Sequence, residues 1–177
     1  MSATVPRIFI TGFMAAGKTT VAKSLARRLN CRMIDLDRFI VAREGRSIQQ
    51  IIDEDGEARF REMETSALRD VLNDEAASVV ALGGGTWTIE QNRALIAERD
   101  GFTVWLDVPF HVCWQRIRSA GDSRPLARSR ENARRLYDAR RPVYALATLR
   151  VRSTKTSRAN DRAAEIEHAL LHPADKM

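Results

Sequence analysis

Lysine is scarce in this chain, and thiol clusters and long apolar runs are missing altogether. Of 29 basic residues only Lys18, Lys23, Lys155 and Lys176 are lysine, so the formal charge of +6 is carried almost wholly by arginine. The two cysteines, Cys31 and Cys113, form no C-x-x-C pair and have no Cys/His ligand spacing, which excludes a disulfide framework and a thiolate metal site. They are expected to be reduced, buried thiols of a cytoplasmic protein. No apolar run approaches the roughly eighteen residues of a membrane span, and Met1 to Arg7 has no signal-peptide pattern. Neither a membrane nor a secreted role is expected. Aromatic residues make up only 6% of the chain. Seven arginines fall between Arg124 and Arg141, but Tyr137 is the single aromatic among them, so the stacking platforms of a nucleic-acid binder are lacking. The basic charge then points to small anions, phosphates or carboxylates.

The 177 residues fit one domain, with a core over about 7–171, and no repeat, low-complexity tract or dimer seam interrupts it. A monomer is expected. Short β-rich runs alternate with amphipathic stretches, the pattern of an α/β domain with a parallel sheet. The strands are expected at Ile8 to Thr11, Arg32 to Asp35, Ser78 to Leu82, Phe102 to Leu106 and Leu149 to Arg152. Helices are expected at Thr19 to Leu29, Glu57 to Leu72, Ile89 to Glu98, Pro109 to Arg118, Asn132 to Tyr137 and Arg158 to Leu171. Val21, Ala22, Leu25, Ala26 and Leu29 share one face of the first, which suits packing on a sheet. Ser119 to Arg130 is polar, holds Gly121 and Pro125, and reads as a mobile loop.

Gly12-Phe13-Met14-Ala15-Ala16-Gly17-Lys18-Thr19 matches G-x-x-x-x-G-K-[ST] and lies between the first strand and the first helix, where the motif belongs. Its glycines let successive amides face phosphate oxygens, and the helix N-terminus adds its dipole. Lys18 can reach the β- and γ-phosphates and the Thr19 hydroxyl can ligate magnesium. A regulatory GTPase is excluded: Asp53-Glu54-Asp55-Gly56 spells D-x-x-G but follows no strand, and no N-K-x-D occurs. A small kinase remains.

Six segments in order then carry a specific likeness: GFMAAGKTT (Gly12 to Thr20), IDLD (Ile34 to Asp37), RFREME (Arg59 to Glu64), GGG (Gly83 to Gly85), RPLA (Arg124 to Ala127) and RRPVY (Arg140 to Tyr144). From Ile8 to about Val151 the chain resembles the shikimate kinases. The resemblance implies a P-loop three-layer sandwich: a five-stranded parallel sheet in the order 2-3-1-4-5 flanked by helices, with a substrate-binding region over about 35–64 and a mobile lid over about 119–130. It also implies transfer of the ATP γ-phosphoryl group to the 3-hydroxyl of shikimate, with magnesium as the cofactor.

Residue by residue, the resemblance places ATP on Gly12, Met14, Ala15, Ala16, Gly17, Lys18, Thr19 and Thr20. Thr19 and Asp35 belong to the metal shell, and Asp37 binds substrate hydroxyls and acts as the base. Two carboxylates two residues apart at a strand end can both face the carboxyl edge of the sheet, although capping of a following helix would also explain them. Arg61 and Arg140 form a carboxylate clamp, for which the planar guanidinium fork is suited, and Glu64, three residues on, can orient Arg61. Gly83, Gly84 and Gly85 bring backbone close to the substrate, and Arg124 of the lid closes on the γ-phosphate. Arg116 or Arg118 stacks on adenine, and Arg141 stays an alternative to Arg140. Ala15, where family members often carry glycine, and the lid's RPLA in place of RPLL are departures by the smallest side chain. A related gluconate or nucleoside-monophosphate kinase, or a silent nucleotide-binding homologue, are the competing readings.

Overall fold

The computed structural model describes residues 6–74, 77–120, 129–154 and 156–172. Five strands, β1 (Ile8–Thr11), β2 (Arg32–Asp35), β3 (Ala77–Ala81), β4 (Phe102–Asp107) and β5 (Leu149–Arg152), form one sheet in the order β2-β3-β1-β4-β5. Every pairing is parallel, with Ile8 beside Val79 on one side and Phe102 on the other. The expected fold class and strand order are therefore observed.

The central strand β1 is buried along its whole length, which is why its sequence, IFIT, is apolar without alternation. Eight α-helices flank the sheet among the described residues: α1 (Lys18–Arg28), α2 (Leu36–Glu44), α3 (Ile48–Asp55), α4 (Glu57–Asn73), α5 (Glu90–Ala97), α6 (Phe110–Ser119), α7 (Arg130–Tyr144) and α8 (Ala159–Leu171). Helix α1 buries Val21, Ala22, Leu25 and Ala26 against the sheet and α8, as its periodicity required. Helix α4 ends without a glycine cap. Its last carbonyls are taken by side chains, Arg7 Nη1 donating to Leu72 O at 2.5 Å and Nη2 to Asp74 O at 2.7 Å.

Four expectations need correction. The segment after β2 is helical: Asp35 caps α2, and Ser47 with Gln50 forms a reciprocal capping box that opens α3. Asp37 thus stands in the first turn of α2, not on the strand. Helix α7 runs on past Tyr137 to Tyr144 with Pro142 inside it, because Ala133, Tyr137, Arg140 and Tyr144 make a continuous buried stripe whose packing outweighs the backbone hydrogen bond that Pro142 removes. Pro109 precedes α6 as its N-cap, and Cys31 is only half-buried. Most of the expected lid, residues 121–128 with Arg124, lies outside the described residues. Among the described residues no helix is long and apolar enough to cross a membrane.

Candidate active site

The turn from β1 into α1 wraps around two glycines with positive φ, 141° at Gly12 and 92° at Gly17. A Cβ on Gly12 would stand 2.7 Å from the backbone oxygen of Leu106, so only glycine lets the loop lie against the end of β4. Lys18 Nζ donates to the carbonyl oxygens of Gly12 at 2.9 Å and Phe13 at 3.0 Å, which holds the ammonium over the first half of the loop. Ala16 is buried and its N–H donates to Phe13 O at 3.1 Å, tightening the turn. Ala15 takes φ 60°, the left-handed conformation that glycine adopts without strain.

Beside the loop, Asp35 serves two partners. One carboxylate oxygen accepts from Arg38 N at 3.1 Å, capping α2, and the other accepts from the Thr19 hydroxyl at 2.5 Å. Asp35 thus caps α2 and also stands against Thr19 of the phosphate loop. A hydroxyl and a carboxylate side by side at a helix N-terminus are hard oxygen donors of the kind magnesium takes. Two such donors would leave the rest of a magnesium shell to water and phosphate oxygens.

The glycine run after β3 is the centre of the remaining geometry. A Cβ on Gly83 would meet Glu64 Oε1 at 2.5 Å, Asp37 Oδ1 at 2.7 Å and Thr86 Oγ1 at 2.9 Å. One on Gly85 would overlap the Arg61 guanidinium, with its Cζ and Nη2 at 2.7 Å. The absence of side chains here lets α2, α4 and the turn converge. Arg61 Nη1 donates to Glu64 at 2.8 Å and Nη2 to Glu57 at 3.0 Å. Burial lowers the Arg61 pKa, but the Glu64 and Glu57 charges and hydrogen bonds more than offset this and leave it above the ordinary arginine value. Glu64, 1% exposed, also accepts from the Thr86 hydroxyl, so it orients Arg61 as its spacing suggested.

From the other side α7 delivers Arg140, 8% exposed, whose Nη1 donates to Gly84 O at 3.1 Å; Tyr144 Oη donates to the same oxygen at 2.5 Å. Trp87 Nε1, donating to Val143 O at 2.9 Å, ties the glycine turn to α7. Arg141 turns away, 41% exposed, and pairs with Asp107 over the Trp105 ring. Arg140 is thus the one of the two that faces Gly84.

A cavity of about 510 Å³ lies beside the phosphate loop, lined by Ala15, Gly17, Lys18, Thr19, Thr20, Asp35, Asp37 and Leu82, and by Arg116, Ser157, Ala159 and Arg162; Arg61 and Arg140 do not line it. Arg116 reaches it and donates to Ala15 O at 3.1 Å, whereas Arg118 is exposed at the end of α6 and does not line it. Gly84 borders the loop directly: a Cβ there would lie 3.5 Å from Met14 N and 3.7 Å from Arg140 Nη1. The sequence reading missed Thr86, Tyr144, Ser157 and Arg162. For Arg162 a signal existed, a charge at a position that shares the inward stripe of α8 with Ala163 and Ile166.

Known proteins resemble this chain in sequence and fold. The sequence profile described as shikimate kinase matches residues 14–171. The shikimate kinase of Cereibacter sphaeroides is 42% identical over 171 residues, 95% of this chain and 84% of that protein. That of Geobacter sulfurreducens is 45% identical over 148 residues, 81% of this chain and 80% of that protein. Among solved structures, the shikimate kinase from Acinetobacter baumannii in complex with shikimate has a TM-score of 0.89 at 33% identity, covering 98% of this chain and 97% of that one. With a matching profile over most of its length, relatives of this identity and the same sheet order, the chain belongs to the shikimate kinase family.

Proposed function

We propose that this chain transfers the γ-phosphoryl group of ATP to the 3-hydroxyl of shikimate, giving shikimate 3-phosphate and ADP in aromatic amino-acid biosynthesis. The observation that carries the reading is the Gly83–Gly85 turn, which has the phosphate loop at Met14 on one side and Asp37, Arg61 and Arg140 on the other. A donor site for a nucleotide and a pair of guanidinium forks suited to a carboxylate therefore share one wall.

Arg61 and Arg140 hold the substrate carboxylate, each as a planar fork whose orientation is already set, by Glu64 and Glu57 for the first and by Gly84 O for the second. Binding then costs little side-chain reorganisation. Asp37 accepts the proton of the 3-hydroxyl as its oxygen attacks the γ-phosphorus; the bond from that phosphorus to the bridging oxygen breaks and ADP leaves. Lys18 offsets charge on the β- and γ-phosphate oxygens, and Arg124 closes over the γ-phosphate and excludes water. Arg116 contacts the nucleotide from the cavity wall. Thr19 and Asp35 are the residues that would hold magnesium, whose charge neutralises the phosphate oxygens. The enzyme works as a monomer in the cytoplasm on small-molecule substrates, with no nucleic-acid or membrane partner.

The test is ADP release from the purified protein with magnesium-ATP, measured by enzymatic coupling with shikimate, quinate, gluconate or a nucleoside monophosphate as acceptor. Turnover selective for shikimate is expected. Turnover with the nucleotide or gluconate in its place would overturn the substrate, and ATP binding without turnover of any acceptor would overturn the activity.

A further inference from the structure

Two guanidinium groups overlook Gly17 in the cavity beside the phosphate loop. A Cβ there would stand 3.6 Å from Arg162 Nη1 and 3.8 Å from Arg116 Nη1. Arg116 leans on the loop through Ala15 O. Arg162 comes from the first turn of α8 and is 5% exposed; its Nη2 donates to Ser157 O at 2.5 Å, while its Nε is buried with no hydrogen-bond partner among the described residues. Neither arginine forms an ion pair with a carboxylate among the described residues. Burial, then the charge of Arg116, hold the Arg162 pKa below the ordinary arginine value, although Asp161 acts the other way.

A buried cation with an unsatisfied donor, set against a second cation, is an unfavourable arrangement unless an anion completes it. The position says which anion. Lys18 sits at the Gly12 and Phe13 end of the loop, the end that serves the β- and γ-phosphates, whereas the two arginines sit at the Gly17 end, where the chain turns into α1. The phosphate on that side is the one next to the nucleoside. We infer that Arg162, together with Arg116, binds the α-phosphate of ATP and ADP. The inference rests on the reading of this cavity as the nucleotide site. Helix α8, the last of the described helices, thereby becomes part of the nucleotide site, and its packing on α1 sets where Arg162 stands.

The experiment compares wild type with R162M, which keeps the stem and removes the charge, and R162K, which keeps the charge and removes the fork. Calorimetric ADP affinity is measured together with kcat and the KM values for ATP and shikimate. A lost charge-assisted hydrogen bond predicts that R162M binds ADP about ten- to a hundredfold more weakly, with a matching rise in KM for ATP. The KM for shikimate at saturating ATP stays at its wild-type value, and R162K recovers only part of the loss. A folded R162M that binds ADP as tightly as wild type overturns the assignment and leaves Arg162 a tie to Ser157 O. If R162M does not fold, arginine-labelled wild type is examined by nitrogen NMR, with the Nε–H of position 162 assigned from its loss in R162K. A shift of that signal on adding ADP supports the contact, and an unmoved signal overturns it. Wild type that fails to bind ADP at all would overturn the nucleotide reading of the cavity, an outcome distinct from the failure of Arg162 alone.

Discussion

Gly85→Ala isolates the substrate clamp from the rest of the fold. Gly85 has φ −109° and ψ −15°, which any residue adopts, so alanine introduces no backbone strain. Its Cβ would overlap Arg61 Nη1 and meet Cζ and Nη2 at 2.7 Å, against the 3.4 Å at which ordinary contact begins, and the guanidinium must retreat by about 1 Å. Glu64 and Glu57 hold that guanidinium by two hydrogen bonds, so it cannot retreat without weakening them. A misplacement approaching 1 Å of a group that orients the substrate costs up to about a hundredfold. The displaced guanidinium leaves the buried Glu64 less well paired, so a stability loss of about 1–3 kcal/mol should accompany the change. Steady-state kinetics should therefore show KM for shikimate raised about ten- to a hundredfold while KM for ATP is unchanged. The reasoning would be refuted by a folded G85A variant with wild-type KM for shikimate, or by an equal rise in KM for both substrates.

Asp37→Asn should keep the fold and the ADP affinity but lower kcat by about 10²–10⁴, the contribution of a positioned base; a kcat within twofold of wild type would remove Asp37 from that role. Ala15→Gly relieves the left-handed strain at φ 60° and should raise stability by about 0.5–1 kcal/mol in urea unfolding without nucleotide, after the added chain entropy of glycine is set against it. Burial raises the Tyr144 pKa from 10.0 to about 12. The folded state thus favours the neutral phenol, and its contribution is whole below pH 10 and is lost as pH rises toward 12. The stability advantage of wild type over Y144F, about 1 kcal/mol from the bond to Gly84 O, should accordingly shrink across that window; an advantage that grows there would contradict the sign.

Where local chemistry decides structure, the sequence was legible. Strand β1 is a short apolar run, β5 alternates apolar with basic residues, and the phosphate loop requires glycine at two places of positive φ; β1, β2, β5 and Gly12 to Thr19 could be placed to the residue. Helices α2 and α3 were missed although their caps are written out, Asp35 before Leu36 and Ser47 three residues ahead of Gln50. Helix α2 buries only Leu36 and Ile40 and its apolar period is weak, whereas α3 repeats isoleucine at Ile48, Ile51 and Ile52 but over too short a run to stand out. Proline misled the reading of α7, where a breaker signal lost to the packing of Tyr137, Arg140 and Tyr144. The choices between Arg140 and Arg141, and between Arg116 and Arg118, depend on which face of a helix meets the sheet edge. Spacing does not show which of each pair turns inward, whereas the hydrogen bonds of Arg140 to Gly84 O and of Arg116 to Ala15 O show that these two do.

The central claim is that the Gly83–Gly85 turn presents one particular hydroxyl of a carboxylate-bearing substrate to the phosphate loop. Phosphorus and proton NMR of the product formed from shikimate and magnesium-ATP tests it most directly. The account predicts a single product phosphorylated at the 3-hydroxyl, formed in equal amount to ADP. Phosphate on another hydroxyl, a mixture of positions, or ADP formed with free phosphate alone would contradict it.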